Sequence, residues 1–124
     1  MKIRFIPLLT LSLATAFSTL AHAEPAAKMV DGILVNASGM TLYTFDKDVA
    51  GSGKSMCNGP CIALWPPASA APDAKPEGDL SVITRDDGSK QWAFKGKPLY
   101  TYAEDKKAGD QAGDNFKNVW HVIK

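Results

Sequence analysis

The apolar residues of this chain fall in short alternating runs, separated by clusters of Gly, Asn, Asp, Ser and Pro, which is the rhythm of β-strands and turns. Ile33 to Val35 is a brief β-branched run, and Asn36-Ala37-Ser38-Gly39 is turn chemistry. Met40 to Phe45 then alternates, which puts Leu42 and Thr44 on one face and Tyr43 and Phe45 on the other. Further along, Leu80 to Thr84 predicts a strand, Asp86-Asp87-Gly88-Ser89 a hairpin turn, and Gln91 to Phe94 a second strand. Gly96-Lys97-Pro98 predicts another turn, Leu99 to Tyr102 a strand, and Val119 to Ile123 the last one. No convincing helical stripe is present, although Cys57 to Leu64 has room for one helical turn.

The pattern occurs twice. Leu42-Tyr43-Thr44-Phe45-Asp46-Lys47-Asp48 returns as Leu99-Tyr100-Thr101-Tyr102-Ala103-Glu104-Asp105. Gly39 and Gly96 stand three residues before the two Leu residues, and Trp65 and Trp120 follow the two copies. Each copy reads as strand, Gly turn, strand, polar loop and Trp segment. The predicted fold class is mainly β, with two pseudo-repeated antiparallel meanders packed into one small β-sandwich or barrel-like domain. The copies span about residues 28–67 and 80–124, and the Pro/Ala-rich stretch Pro66 to Asp79 reads as an extended connector between them.

The N-terminus changes the setting of this domain. Lys2 and Arg4 precede an uncharged greasy run from Phe5 to Leu20, and Ala21-His22-Ala23 supplies small residues where a signal peptidase cuts. A spanning helix needs about 20 apolar residues, whereas this run is short and broken by Pro7, Ser and Thr. We therefore read residues 1–23 as a signal peptide cleaved after Ala23 and residues 24–124 as a single exported domain, periplasmic or secreted. Loss of Lys2 and Arg4 from the 14 basic residues leaves the mature chain near a net charge of −1 against 13 acids. That charge does not suit nucleic acid, and no other apolar run could cross a bilayer.

Candidate chemistry is sparse. Outside the cytoplasm, Cys57 and Cys61 read first as a disulfide, with Gly59-Pro60 turning the chain between them. The alternative is a thiol redox or copper-handling site, in which the Cys-x3-Cys pair beside Met56 offers soft ligands. The repeated residues Tyr43, Phe45, Asp48, Trp65, Tyr100, Tyr102, Asp105 and Trp120 are either core and loop anchors or the lining of a ligand cleft. The acidic loops around Asp46, Asp48, Asp105, Asp110 and Asp114 contain no recognised calcium motif. No nucleophile elbow, phosphate-binding Gly loop or His-Glu-x-x-His is present, and the mature chain has one histidine, His121. The expectation is a non-enzymatic protein without cofactor, acting on an unknown envelope ligand or partner protein.

The two motif copies, Tyr43-Thr44-Phe45-Asp46-Lys47-Asp48 and Tyr100-Thr101-Tyr102-Ala103-Glu104-Asp105, together with the Cys-x3-Cys pair and Trp65-Pro66-Pro67, resemble the bacterial secreted-repeat family, whose lipoprotein members carry a Y-x-(F/W/Y)-x-x-D motif. The resemblance implies a bacterial cell-envelope protein and supplies no activity. No Cys stands at the cleavage site, so this chain departs from the lipid-anchored members and fits a soluble periplasmic protein.

Overall fold

A computed structural model describes residues 25–124, so the expected signal peptide and its cleavage after Ala23 lie outside the described residues. Within them the chain is mainly β: β1 Ala27–Val30, β2 Ile33–Asn36, β3 Tyr43–Phe45, β4 Ser69–Ala70, β5 Leu80–Thr84, β6 Lys90–Phe94, β7 Lys97–Pro98 and β8 Trp120–Val122. One short helix, α1 (Pro60–Leu64), starts with Pro at its first position, where the missing N–H costs nothing. A 3-10 turn at Phe116–Asn118 stands in the matching place before the second Trp.

Each copy begins with an antiparallel meander. In the first, β1 pairs β2 across Asp31-Gly32, both at positive φ, and β2 continues onto the segment around Thr41 through the Val35–Thr41 bridge. In the second, β5 pairs β6 in register Val82↔Trp92, and β6 pairs β7 across Lys95-Gly96. Positive φ at both central residues is the mark of a two-residue hairpin turn whose twist suits the flanking strands. This moves an expected boundary. Gly96-Lys97-Pro98 is not the turn: Lys95-Gly96 closes it, and Lys97–Pro98 is already strand.

The copies then complete each other. β3 of the first copy pairs β8 of the second, with Tyr43↔Val122 and Phe45↔Trp120. At the matching place in the second copy, Tyr100 bridges Pro67 of the first, and β4 adds to β6 through Ser69↔Gln91. The expected strand Leu99 to Tyr102 is therefore divided. Leu99 donates its N–H to Trp92, and Tyr100 turns to meet Tyr43. At the centre the two tyrosine backbones exchange both bonds, with Tyr43 N to Tyr100 O at 2.8 Å and Tyr100 N to Tyr43 O at 3.0 Å. Interchanging the copies maps this pair onto itself, so it marks a local pseudo-twofold axis.

One aromatic cluster lies on that axis, made of Tyr43, Phe45, Cys57, Trp65, Tyr100, Tyr102, Trp120 and Val122. A smaller aliphatic cluster of Leu34, Leu42, Leu80 and Leu99 fills the opposite face of the strands, as the alternation of Leu42 against Tyr43 requires. No helix among the described residues is long and apolar enough to cross a membrane.

Candidate functional site

The repeated aromatics build a four-ring stack that alternates between copies. Phe45 lies on Trp120 at 4.3 Å, Trp120 on Trp65 at 3.9 Å and nearly parallel, and Trp65 on Tyr102 at 4.3 Å. Tyr43 and Tyr100 meet Trp65 and Trp120 edge-on at 5.2 and 5.0 Å. Edge-on contacts set the positive ring rim of one residue against the negative face of the next.

The carboxylates close across the same axis. The Tyr43 hydroxyl donates to Asp105 Oδ2 and the Tyr100 hydroxyl to Asp48 Oδ2, each at 2.6 Å. The other oxygen of each Asp holds its own loop: Met56 N–H donates to Asp48 Oδ1 and Ala112 N–H to Asp105 Oδ1. The motif thus specifies a pairing between copies, and each Asp ties down the loop that follows its strand. Burial raises the pKa of both tyrosines, and donation to a carboxylate raises it further. Burial also raises Asp48, against the opposing pull of the Tyr100 and Met56 bonds and of Lys97 and Arg85.

The Asp48 side carries an extension that sequence reasoning missed. Arg85 is buried and its guanidinium reaches Ser55 Oγ, Gln91 Oε1, Asn58 Oδ1 and the Cys57 carbonyl. Ser55 Oγ in turn contacts the Tyr100 hydroxyl. Arg85 sits beside Asp86-Asp87, where a surface charge is the natural reading. The one available signal was its place directly after β5, pointing inward at the hairpin end. The loop it grips is closed by the Cys57–Cys61 disulfide, with S–S 2.04 Å. Bonded to each other, these sulfurs offer no thiolate to a metal, and Met56 is 63% exposed.

All eight repeated residues are buried, at 9% exposure or less. Among the described residues no buried side-chain nitrogen or oxygen lacks a partner, and no group of three or more His, Cys, Asp or Glu could hold a metal ion. The structure therefore brings Tyr43, Asp48, Tyr100 and Asp105 together as a closed network. His121 lies apart on the surface, between Asp46 at 2.9 Å and Asn115 at 3.0 Å.

Among the described residues, surface cavities of about 260, 460 and 240 Å³ border this core, and none of these is lined by a repeated Tyr, Asp or Trp. The first lies between the β1–β2 hairpin and the loop at Ala108 to Gln111. The other two are related by interchange of the copies. The 460 Å³ groove is formed by the Lys95-Gly96 turn, the end of β8 and Ala50. The 240 Å³ groove is formed by the Asn36 to Ser38 turn and Ala68-Ser69.

The fold and its network define a two-copy, disulfide-containing β domain in which each repeat finishes the other. A family model described as a secreted repeat of unknown function matches residues 26–69 and again residues 81–124, and the chain belongs to that family. No curated protein matches the chain, and no solved structure does.

Proposed function

We propose that this secreted repeat protein is a periplasmic, non-enzymatic domain that binds a small ligand or a partner protein. The observation that carries this reading is the closed state of the repeated motif. The repeated residues that could have served as general acids or bases, Tyr43, Tyr100, Asp48 and Asp105, are bonded to one another inside the core. A reacting group would have to break these bonds to reach them. What the fold leaves accessible is surface: the grooves at the two turns and the exposed side chains Val49, Met56 and Ile62 beside the disulfide loop. The signal-like N-terminal sequence and the family's secreted character support an extracytoplasmic setting.

The test is a thermal-shift screen of the exported protein against envelope metabolites and lipids, paired with affinity capture from envelope extract. A ligand at 100 times its Kd adds about 2.7 kcal/mol, which raises the Tm of so small a domain by about ten degrees or more. Binding without turnover of the bound compound is the expected result. Chemical conversion of any hit, or silence in both arms, overturns the reading.

A further inference from the structure

We infer that the 460 Å³ groove is a binding site for a small amphipathic anion, with a carboxylate-type head at Lys95 and Lys97 and an apolar body against Phe94, Val122 and Ile123. The inference deepens the binding reading above and rests on it. The groove has a built polarity. Its floor is apolar, from Phe94, Val122 and Ile123, with Ala50 as one wall, and its rim carries Lys95 and Lys97 on either side of Gly96. Thr44 and Lys124 complete the lining, which includes no Asp or Glu side chain. Among the described residues neither Lys95 nor Lys97 forms a salt bridge: Lys97 acts on the buried Asp48 only at longer range, and Lys95 lies over the Phe94 ring at 5.4 Å. Lys95 and Lys97 flank Gly96 on one hairpin and both line the groove, so an anion seated there gains from two positive charges. The volume falls within the ~300–1,000 Å³ usual for small-ligand sites.

The turn geometry fixes the head-group end. Lys95 and Gly96 both have positive φ, 49° and 83°. A Cβ on Gly96 would lie 2.7 Å from Gly51 N, whose N–H donates to the Gly96 carbonyl at 3.0 Å. The loop of the first copy is thus docked onto this turn. The lysine backbones are held from behind, and the groove is preformed.

The other copy supplies an internal control. In the 240 Å³ groove the matching positions hold Asn36 for Phe94, Ser38 for Lys95, Ala68 for Ile123 and Ser69 for Lys124, and Met40 takes the place of Lys97. The Asn36 carboxamide is used inside its own turn, accepting from Ser38 N–H and Met40 N–H at 3.0 Å each. The 240 Å³ groove has Trp92 as an apolar wall but no charged side chain, whereas the 460 Å³ groove is apolar and cationic. The core needs neither version, because the residues shared by the copies lie inside.

The experiment titrates the exported protein with sodium decanoate, followed by calorimetry and by backbone amide NMR. Acetate serves as the head without the tail, and decyltrimethylammonium as a tail of opposite charge. The expected result is saturable one-site binding of decanoate below about 1 mM, with amide shifts centred on Lys95 to Lys97 and Val122 to Lys124, and no comparable binding of either control. Replacing the rim with its counterparts, Lys95→Ser with Lys97→Met, weakens decanoate binding at least about tenfold at unchanged Tm. If that pair disturbs the fold, Lys95→Glu alone keeps the turn and reverses one charge, with the same expected loss. Equal binding of decanoate and the cationic tail, shifts centred elsewhere, undiminished affinity in the variants, or no binding each overturn the assignment. If a different compound stabilises wild-type and variant protein equally, the domain binds ligands and only this site falls.

Discussion

The loops that follow the two repeated strands share an Asp that accepts from the other copy's Tyr, and are closed by different means. After Asp48 the chain is fastened by the Cys57–Cys61 disulfide and by Arg85, which holds Cys57, Asn58 and Ser55. After Asp105 there is neither disulfide nor buried cation. Ala112 donates to Asp105, Gly113 donates to the Tyr43 hydroxyl, and Gly113 packs so closely that a Cβ there would lie 2.5 Å from Trp65 Cη2. One copy uses a covalent bond and a charge, the other a main-chain fit. The common motif sets the pairing across the axis, and each loop finds its own closure around it.

The strongest challenge to the equivalence of the copies is removal of the central stack. Trp65→Ala and Trp120→Ala should each cost about 3–5 kcal/mol and unfold so small a domain, with nearly equal losses of Tm. A cost confined to one of them would show that the stack belongs to one copy. Next come the unequal closures. Loss of the disulfide by Cys57→Ser with Cys61→Ser should cost about 2 kcal/mol, the low end for so short a ring. Gly113→Ala should cost about 1–3 kcal/mol through overpacking against Trp65 and Tyr102. Hydrogen exchange should locate the first loss in residues 48–61 and the second in residues 105–116.

The hydroxyl pair gives a finer test. Tyr43→Phe and Tyr100→Phe each leave a buried Asp short of a donor, at about 1–3 kcal/mol by denaturant titration. Each change also strips a second partner, Ser55 Oγ in Tyr100→Phe and the Gly113 N–H in Tyr43→Phe, so the two losses should be of similar size. Both tyrosines have folded pKa values raised above the ordinary ~10, so above that pH the unfolded chain releases protons the native state retains. Stability should then fall by about 1.4 kcal/mol per pH unit for each tyrosine, and the slope should lessen by that amount in Tyr43→Phe. Asp48, also raised, works in the same sense at acid pH: as pH falls through its titration the native state takes up its proton first, and that group alone adds stability. The smallest effect should follow cutting the chain. A protease site placed in residues 71–79 and cleaved in the folded protein should leave the copies together on gel filtration, because the pairing is carried by contacts across the axis.

The duplication and the strand content were open to sequence reading because they depend on local alternation and on a repeat of 57 residues. The pairing of β3 with β8 was not, since period-2 alternation says which face a strand shows and nothing about its neighbour. β1 was missed, although Asp31-Gly32 is a hairpin signal, because Lys28 and Met29 interrupt a run that is exposed on most of its length. Whether the Tyr and Asp residues were core or cleft could not be read from either copy alone, for each partner is in the other. Arg85 and the lysine groove escaped for a related reason: their meaning comes from residues brought together from distant parts of the chain.

The bond from Tyr43 to Asp105 joins residues 62 positions apart, and this has a consequence in time. A ribosome adding about 5–20 residues per second needs roughly 3–12 s to make that stretch. During that interval Tyr43, Phe45 and Trp65 exist without Asp105, Tyr102 and Trp120, so the first half emerges with half a core and nothing to close it. Native structure has to wait for the second half. A chain destined for secretion gains from that delay, since it stays unfolded until nearly all of it has been made, and it carries through the interval an aromatic surface that a chaperone could hold.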